Sequence, residues 1–162
     1  MSVNPKMRNQ IHKRIRKEIQ TLKEENHLID YEESPGNYRV EAVLNGPEGT
    51  VFEGGEYKIV VTLDMESYPF TPPSVEMTSR IFHPNFSGER ICVDLLDDNW
   101  SSINTLFSIV KSLENLMADP NPDSALDSEA ASAFNDDPES FEKTNKDLII
   151  QNQADKNWTL AE

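Results

Sequence analysis

The chain has one cysteine, Cys92, in 162 residues. A single thiol cannot close a disulfide within the chain, and a structural zinc site ordinarily takes two to four such ligands. No metal site is expected. What remains is a free nucleophile or an inert buried thiol, since unpaired cysteine behaves as a small hydrophobe. One cysteine also suits a reducing compartment, so cytoplasm or nucleus is the expected location. Long apolar runs are absent: none approaches the roughly 20 residues that span a bilayer. The N-terminus begins polar and turns charged, with no secretory apolar stretch. Basic residues are scarce, with 15 Lys and Arg against 29 Asp and Glu, a net charge of -14. Such a body repels phosphates, which argues against nucleic-acid binding. There is no internal repeat and no low-complexity block.

The charge is unevenly spread. Residues 1–23 hold seven Lys or Arg and one Glu, while the remainder holds eight basic and 28 acidic residues. The basic segment is either a solvated helix face or a surface for an acidic partner. The length suits one domain with a sizeable core, and a monomer is expected. Residues 5–25 read as a helix, with Ile11, Ile15, Ile19 and Leu22 on one stripe and Lys13, Arg14, Arg16 and Lys17 off it. Tyr38, Val40, Ala42 and Leu44, then Tyr57, Ile59, Val61 and Leu63, alternate with other residues at strand period. Strands near 28–33 and 74–77 complete an expected four-stranded antiparallel meander. Pro69, Pro72 and Pro73 preclude regular structure before the last strand, and Tyr68–Pro69 is a candidate cis peptide. Residues 80–101 have no sustained period and read as a long ordered active-site segment. A central helix follows, its face read as Ile103, Leu106, Phe107, Val110, Leu113 and Leu116, and Asp119-Pro120-Asn121-Pro122 stops it. Two shorter helices are expected near 127–135 and 138–151. The expected fold class is α+β, with one domain over 1–152 and a short tail over 153–162.

The neighbours of Cys92 turn it from a candidate core residue into a candidate nucleophile. His83-Pro84-Asn85 precedes Ile91-Cys92-Val93-Asp94-Leu95-Leu96, and Trp100 comes after. Upstream stand Gly46-Pro47-Glu48-Gly49-Thr50, Phe52-Glu53-Gly54-Gly55 and Tyr68-Pro69-Phe70-Thr71-Pro72-Pro73; downstream is Asp119-Pro120-Asn121-Pro122-Asp123-Ser124. This ordered series, from about Arg14 to Ile149, resembles the ubiquitin-conjugating enzymes.

The resemblance implies a UBC fold and a two-step acyl transfer. Cys92, as thiolate, would take the C-terminal carbonyl of ubiquitin from a thioester on an activating enzyme. A substrate lysine amine would then attack, and a donor beside the carbonyl oxygen would lower the barrier. No bound cofactor is implied, because ATP is used by the activating enzyme. Asn85 is the candidate donor, and its amide is equally able to shape the turn. The resemblance assigns His83 to bracing the loop rather than to proton transfer. Asp94 would orient the amine or accept its proton, or else is a solvated acid; a carboxylate there would raise the thiol pKa. Ser124 matches a position at the mouth of the site, able to bond an amine or to cap the next turn or helix. Asp97 and Asp98 read as a charged turn.

Partner surfaces are implied by the same resemblance. Lys13, Arg14 and Lys17 match the first-helix residues that meet an activating enzyme. Ligases of the RING type would grip the helix end and two loops, the first through Phe70. The second loop departs from the family's common Trp-Ser-Pro-Ala: here it reads Trp100-Ser101-Ser102-Ile103, without the rigid proline and with an added apolar group. The stretch from Asn85 to Cys92 is one residue shorter than usual, which predicts a tighter turn at Ser87-Gly88. Two alternatives stand beside ubiquitin conjugation: a conjugating enzyme for SUMO or another ubiquitin-like modifier, and a noncatalytic binding module of the same fold. Cys92, Asn85 and Asp94 together argue against the module.

Overall fold

The computed structural model describes residues 4–91 and 99–162. Cys92, Asp94, Asp97 and Asp98 lie outside the described residues.

Helix α1 spans Pro5–Glu24. Asn4 caps it, its side chain accepting from the Met7 amide at 2.8 Å, and Pro5 fits the first turn, where no N–H is needed. The stripe Ile11, Ile15, Ile19 and Leu22 is buried, and Glu18 is buried beside it. Burial of each of these four apolar side chains contributes on the order of 2 kcal/mol. Asn26, at φ 62°, turns the chain out of the helix, a conformation that asparagine tolerates.

Four antiparallel strands come next in simple order: β1 Leu28–Ser34, β2 Asn37–Asn45, β3 Glu56–Asp64 and β4 Ser74–Met77. In the central pair Val40 faces Val61 and Ala42 faces Ile59. Tyr38, Val40, Ala42, Leu44, Tyr57, Ile59, Val61 and Leu63 turn one face of the sheet into core, as their period of two demands. Gly46 donates to the Gly55 carbonyl at 2.8 Å and closes the loop between β2 and β3. Only glycine fits there, because a Cβ would overlap the Phe52 carbonyl. The Tyr68–Pro69 bond is cis.

The segment after β4 is more regular than its sequence predicts. Phe86–Ser87 (β5) and Arg90–Ile91 (β6) form a small hairpin. Gly88 takes φ +59° at the first central position of its two-residue connection, as a type II′ turn requires. Met77 donates to the Glu89 carbonyl at 3.1 Å and ties this hairpin to β4.

Helix α2 spans Leu106–Ala118 and packs against α1 and β2. It starts later than its apolar pattern suggests. Thr105 takes the N-cap in a reciprocal capping box with Ser108, and Ile103 sits outside in a turn closed by Asn104 donating to the Ser101 carbonyl at 3.0 Å. The buried face is Leu106, Ile109, Val110, Leu113 and Met117, while Phe107 and Leu116 are only partly covered. A 3-10 turn at Pro122–Ser124 leads to α3 (Ser128–Asp136) and α4 (Pro138–Asp155). Helix α4 is 18 residues long and continues past the expected end near 151. Beyond it, Lys156 pairs with Glu56 at 3.1 Å and lies over the Trp158 ring, and Ala161 donates to the Leu28 carbonyl at 2.9 Å. No helix among the described residues is long and apolar enough to cross a membrane.

Candidate active site

His83, Pro84 and Asn85 are each held by a different part of the chain. His83 is fully buried. Its Nδ1 accepts from the Asn85 amide at 3.0 Å, so the ring proton sits on Nε2, which donates to the Leu116 carbonyl at 3.0 Å. Burial pushes its pKa down to about 4, with backbone hydrogen bonds opposing in part. The ring is therefore neutral at pH 7, with both nitrogens occupied. Phe86 meets it edge-on at 4.9 Å and Phe52 lies at 5.5 Å. This geometry braces the segment and offers no nitrogen for proton transfer.

The Pro84 carbonyl accepts from Leu126 at 2.8 Å and from Asp127 at 3.1 Å. The Asn85 side chain is also fully buried. Its Oδ1 accepts from the Asn121 amide at 2.8 Å, and its Nδ2 donates to the Asn121 carbonyl at 2.9 Å. The second Nδ2 hydrogen has the Ser124 carbonyl at 3.4 Å, a longer and weaker contact. The amide therefore shapes the site by locking the Asn121–Ser124 turn against the His-Pro-Asn segment. Ser124 is partly exposed, and its hydroxyl accepts from Asn121 Nδ2 at 3.4 Å. It caps no helix. Asp127 caps α3, accepting from the Ala130 amide at 3.0 Å.

The structure thus brings Asn85, His83 and Ser124 together. Of the residues expected at the site, Cys92 and Asp94 lie outside the described residues. Ile91, the last described residue before Cys92, is buried and pairs with Phe86, so the shortened stretch ends on core.

The candidate partner residues lie elsewhere. Lys13 and Lys17 are exposed on α1. Arg14 is committed inward: Nε donates to Glu18 at 2.8 Å, an Nη donates to the Asn104 carbonyl at 2.7 Å, and the guanidinium lies over the Tyr68 ring. Phe70 is 67% exposed and Ile103 86%, with Ser101 and Ser102 also exposed. Their two loops are tied together by the Trp100 indole N–H donating to the Pro69 carbonyl at 2.9 Å.

Sequence reading missed Glu18, Asn121, Asn145 and Asn152. Glu18 had a visible signal: it is the one acid in the basic first 23 residues, three positions from Ile15 and four from Leu22. Asn145 and Asn152 also had one, being poor helix formers seven residues apart within a helix.

A family model described as "Ubiquitin-conjugating enzyme" matches residues 14–149. Ubiquitin-conjugating enzyme E2 2 of Mycosarcoma maydis is 41% identical over 101 residues, 62% of this chain and 54% of that protein. Ubiquitin-conjugating enzyme E2 3 of Arabidopsis thaliana is 36% identical over 111 residues, 68% of this chain and 73% of that protein. The chain thus spans about half the length of the first of these relatives. Among solved structures, a candidate ubiquitin conjugating enzyme from Plasmodium yoelii superposes with a TM-score of 0.75 at 28% identity, covering 93% of this chain and 96% of the other. The E2 domain of a ubiquitin conjugating enzyme from Toxoplasma gondii does so with a TM-score of 0.75 at 25% identity, covering 91% and 98%.

Proposed function

Because this chain belongs to the ubiquitin-conjugating enzyme family, we propose that it carries ubiquitin as a thioester on Cys92 and passes it to a lysine amine. One observation carries this reading: the matched span, residues 14–149, contains the chain's single thiol. The Cys92 thiolate attacks the ubiquitin thioester on the activating enzyme, whose own cysteine leaves as thiolate. A lysine amine then attacks the new thioester carbonyl and loses a proton, and the tetrahedral intermediate expels the Cys92 thiolate as the amide forms. Asp94 orients the amine or takes that proton. Asn85 keeps the Asn121–Ser124 turn in place, and donating Nδ2–H to an oxyanion requires its planar carboxamide to rotate and give up its Asn121 bonds.

The basic exposed face around Lys13 and Lys17 receives the acidic surface of the activating enzyme. Phe70 and Ile103, two exposed apolar groups on loops tied together by Trp100, receive a RING-type ligase.

A charging assay tests the reading, with purified protein, ubiquitin, ATP, magnesium and an activating enzyme resolved on a nonreducing gel. A ubiquitin-sized shift lost with thiol reductant and in Cys92→Ala is expected. Cys92→Ser should give an adduct that resists reductant, because an oxygen ester replaces the thioester. A shift that survives in Cys92→Ala overturns the assignment, and charging only with a different modifier changes the cargo.

A further inference from the structure

Among the described residues, no strand neighbours residues 80 and 82, which lead into His83-Pro84-Asn85, on the side facing α4. Two asparagine side chains take its place. Asn145 Oδ1 accepts from the Phe82 amide at 3.0 Å, and its Nδ2 donates back to the Phe82 carbonyl at 2.9 Å. Asn152 Oδ1 accepts from the Arg80 amide at 3.0 Å, and its Nδ2 donates to the Arg80 carbonyl at 2.8 Å. An extended chain presents the N–H and C=O of residues i and i+2 to the same side. A helix presents side chains seven apart on nearly the same face, two turns along. The two periodicities meet here, and each carboxamide pairs with a peptide group as another strand would.

Nothing in helix stability calls for these residues, since asparagine is a mediocre helix former and a buried amide must find every partner. Asn145 is fully buried and does find them, its second Nδ2 hydrogen going to the Phe141 carbonyl at 3.0 Å. An apolar side chain of the same size would orphan both the N–H and the C=O of Phe82. Asn152 lies beyond the span matched by the family model, so that span does not account for it.

We propose that Asn145 and Asn152 are positioning residues that set the register of the active-site segment; the proposal rests on reading this chain as a conjugating enzyme. The reason is geometric. A slip of one residue would turn residues 81 and 83 toward α4 and swing His83 to the opposite side, away from the Leu116 carbonyl. Asn85 would then lose Asn121. Double pairing at both 80 and 82 forbids that slip, and α4 thereby controls the placement of Asn85 without touching it.

The test uses the full chain, labelled with nitrogen-15, and compares wild type with Asn152→Ala and Asn152→Gln. Asn152→Ala should shift the Asn85 side-chain amide and His83 Nε2–H resonances. It should slow discharge of the thioester to free lysine about tenfold while charging changes less than about twofold. Asn152→Gln, which keeps the carboxamide, should recover most of the discharge rate. Asn145→Leu should show the larger effect, and if it fails to fold, the Asn152 pair still decides. Unmoved Asn85 resonances, or charging and discharge falling by one common factor, would overturn the proposal. If wild type forms no thioester at all, the conjugating-enzyme reading fails instead, and the resonances alone then decide the register clamp.

Discussion

The Tyr68 hydroxyl donates to the Glu18 carboxylate at 2.6 Å in the interior of the protein. The same Glu18 oxygen accepts from the Leu106 amide at 2.8 Å, and the other oxygen accepts from Arg14 Nε at 2.8 Å. One side chain therefore joins α1, the loop carrying Phe70 and the first turn of α2. Burial raises the Tyr68 pKa and the Glu18 charge raises it further, so the phenol stays protonated and donates. Glu18→Leu should cost about 3 kcal/mol, because it leaves a buried amide, a hydroxyl and a guanidinium without their acceptor. Tyr68→Phe should cost about 1–2 kcal/mol. A urea-denaturation double-mutant cycle should return a coupling above about 1 kcal/mol, and additive losses would mean that the two groups do not act together.

His83 makes stability depend on pH. The unfolded chain binds the imidazole proton near pH 6.5, and the folded chain only near 4. The unfolded state therefore binds more protons between these values, and stability falls as pH drops through that window. The loss should be about 3 kcal/mol beyond that of His83→Gln measured in parallel. Above pH 6.5 the contribution is complete. Discharge to lysine should show no ionisation near pH 6.5 that disappears in His83→Gln.

Asn85→Ala should act on both fold and chemistry. It orphans the Asn121 amide and carbonyl, so a stability loss of about 2 kcal/mol is expected. Single-turnover discharge to lysine should slow by more than tenfold, beyond any slowing of charging. Equal slowing of both steps would leave Asn85 with its turn-shaping role alone.

The basic helix should separate into two functions. Lys13→Glu with Lys17→Glu should weaken charging and flatten its salt dependence without changing the unfolding midpoint, since both side chains are exposed. Arg14→Ala should instead lower stability by about 1–2 kcal/mol, because it removes donors to Glu18 and to the Asn104 carbonyl. If Arg14→Ala left stability intact, its inward contacts would have no energetic weight.

Phe70→Ala and Ile103→Ala should each change stability by less than about 0.5 kcal/mol, as both side chains face solvent. Ligase-stimulated discharge should fall at least tenfold in Phe70→Ala, while unstimulated discharge stays at the wild-type rate. Equal stimulation of wild type and variant would move the ligase surface elsewhere.

Much of this architecture is written in local pattern. Ile11, Ile15, Ile19 and Leu22 specify the buried side of α1, and the alternation from Tyr38 to Leu44 and from Tyr57 to Leu63 specifies the face of the sheet that becomes core. Both arise from backbone geometry, which repeats every 3.6 or every two residues whatever the rest of the chain does. The tripeptide His83-Pro84-Asn85 pointed to the candidate site by its resemblance to a known family, a signal carried by adjacent residues. Tertiary structure alone decided which partners those residues meet. Leu116, Asn121, Asn145 and Asn152 reach the segment from 33 to 72 positions away. Ile103 was drawn toward the helix by its hydropathy, but the capping box of Thr105 and Ser108 placed it in solvent. Glu18, one acid in a basic helix, became a junction because burial makes an unpaired carboxylate too costly, and the folded chain supplies three donors around it. Periodicity assigns a residue to a face. Only the packed chain determines which groups complete each buried polar atom, and that completion builds the site.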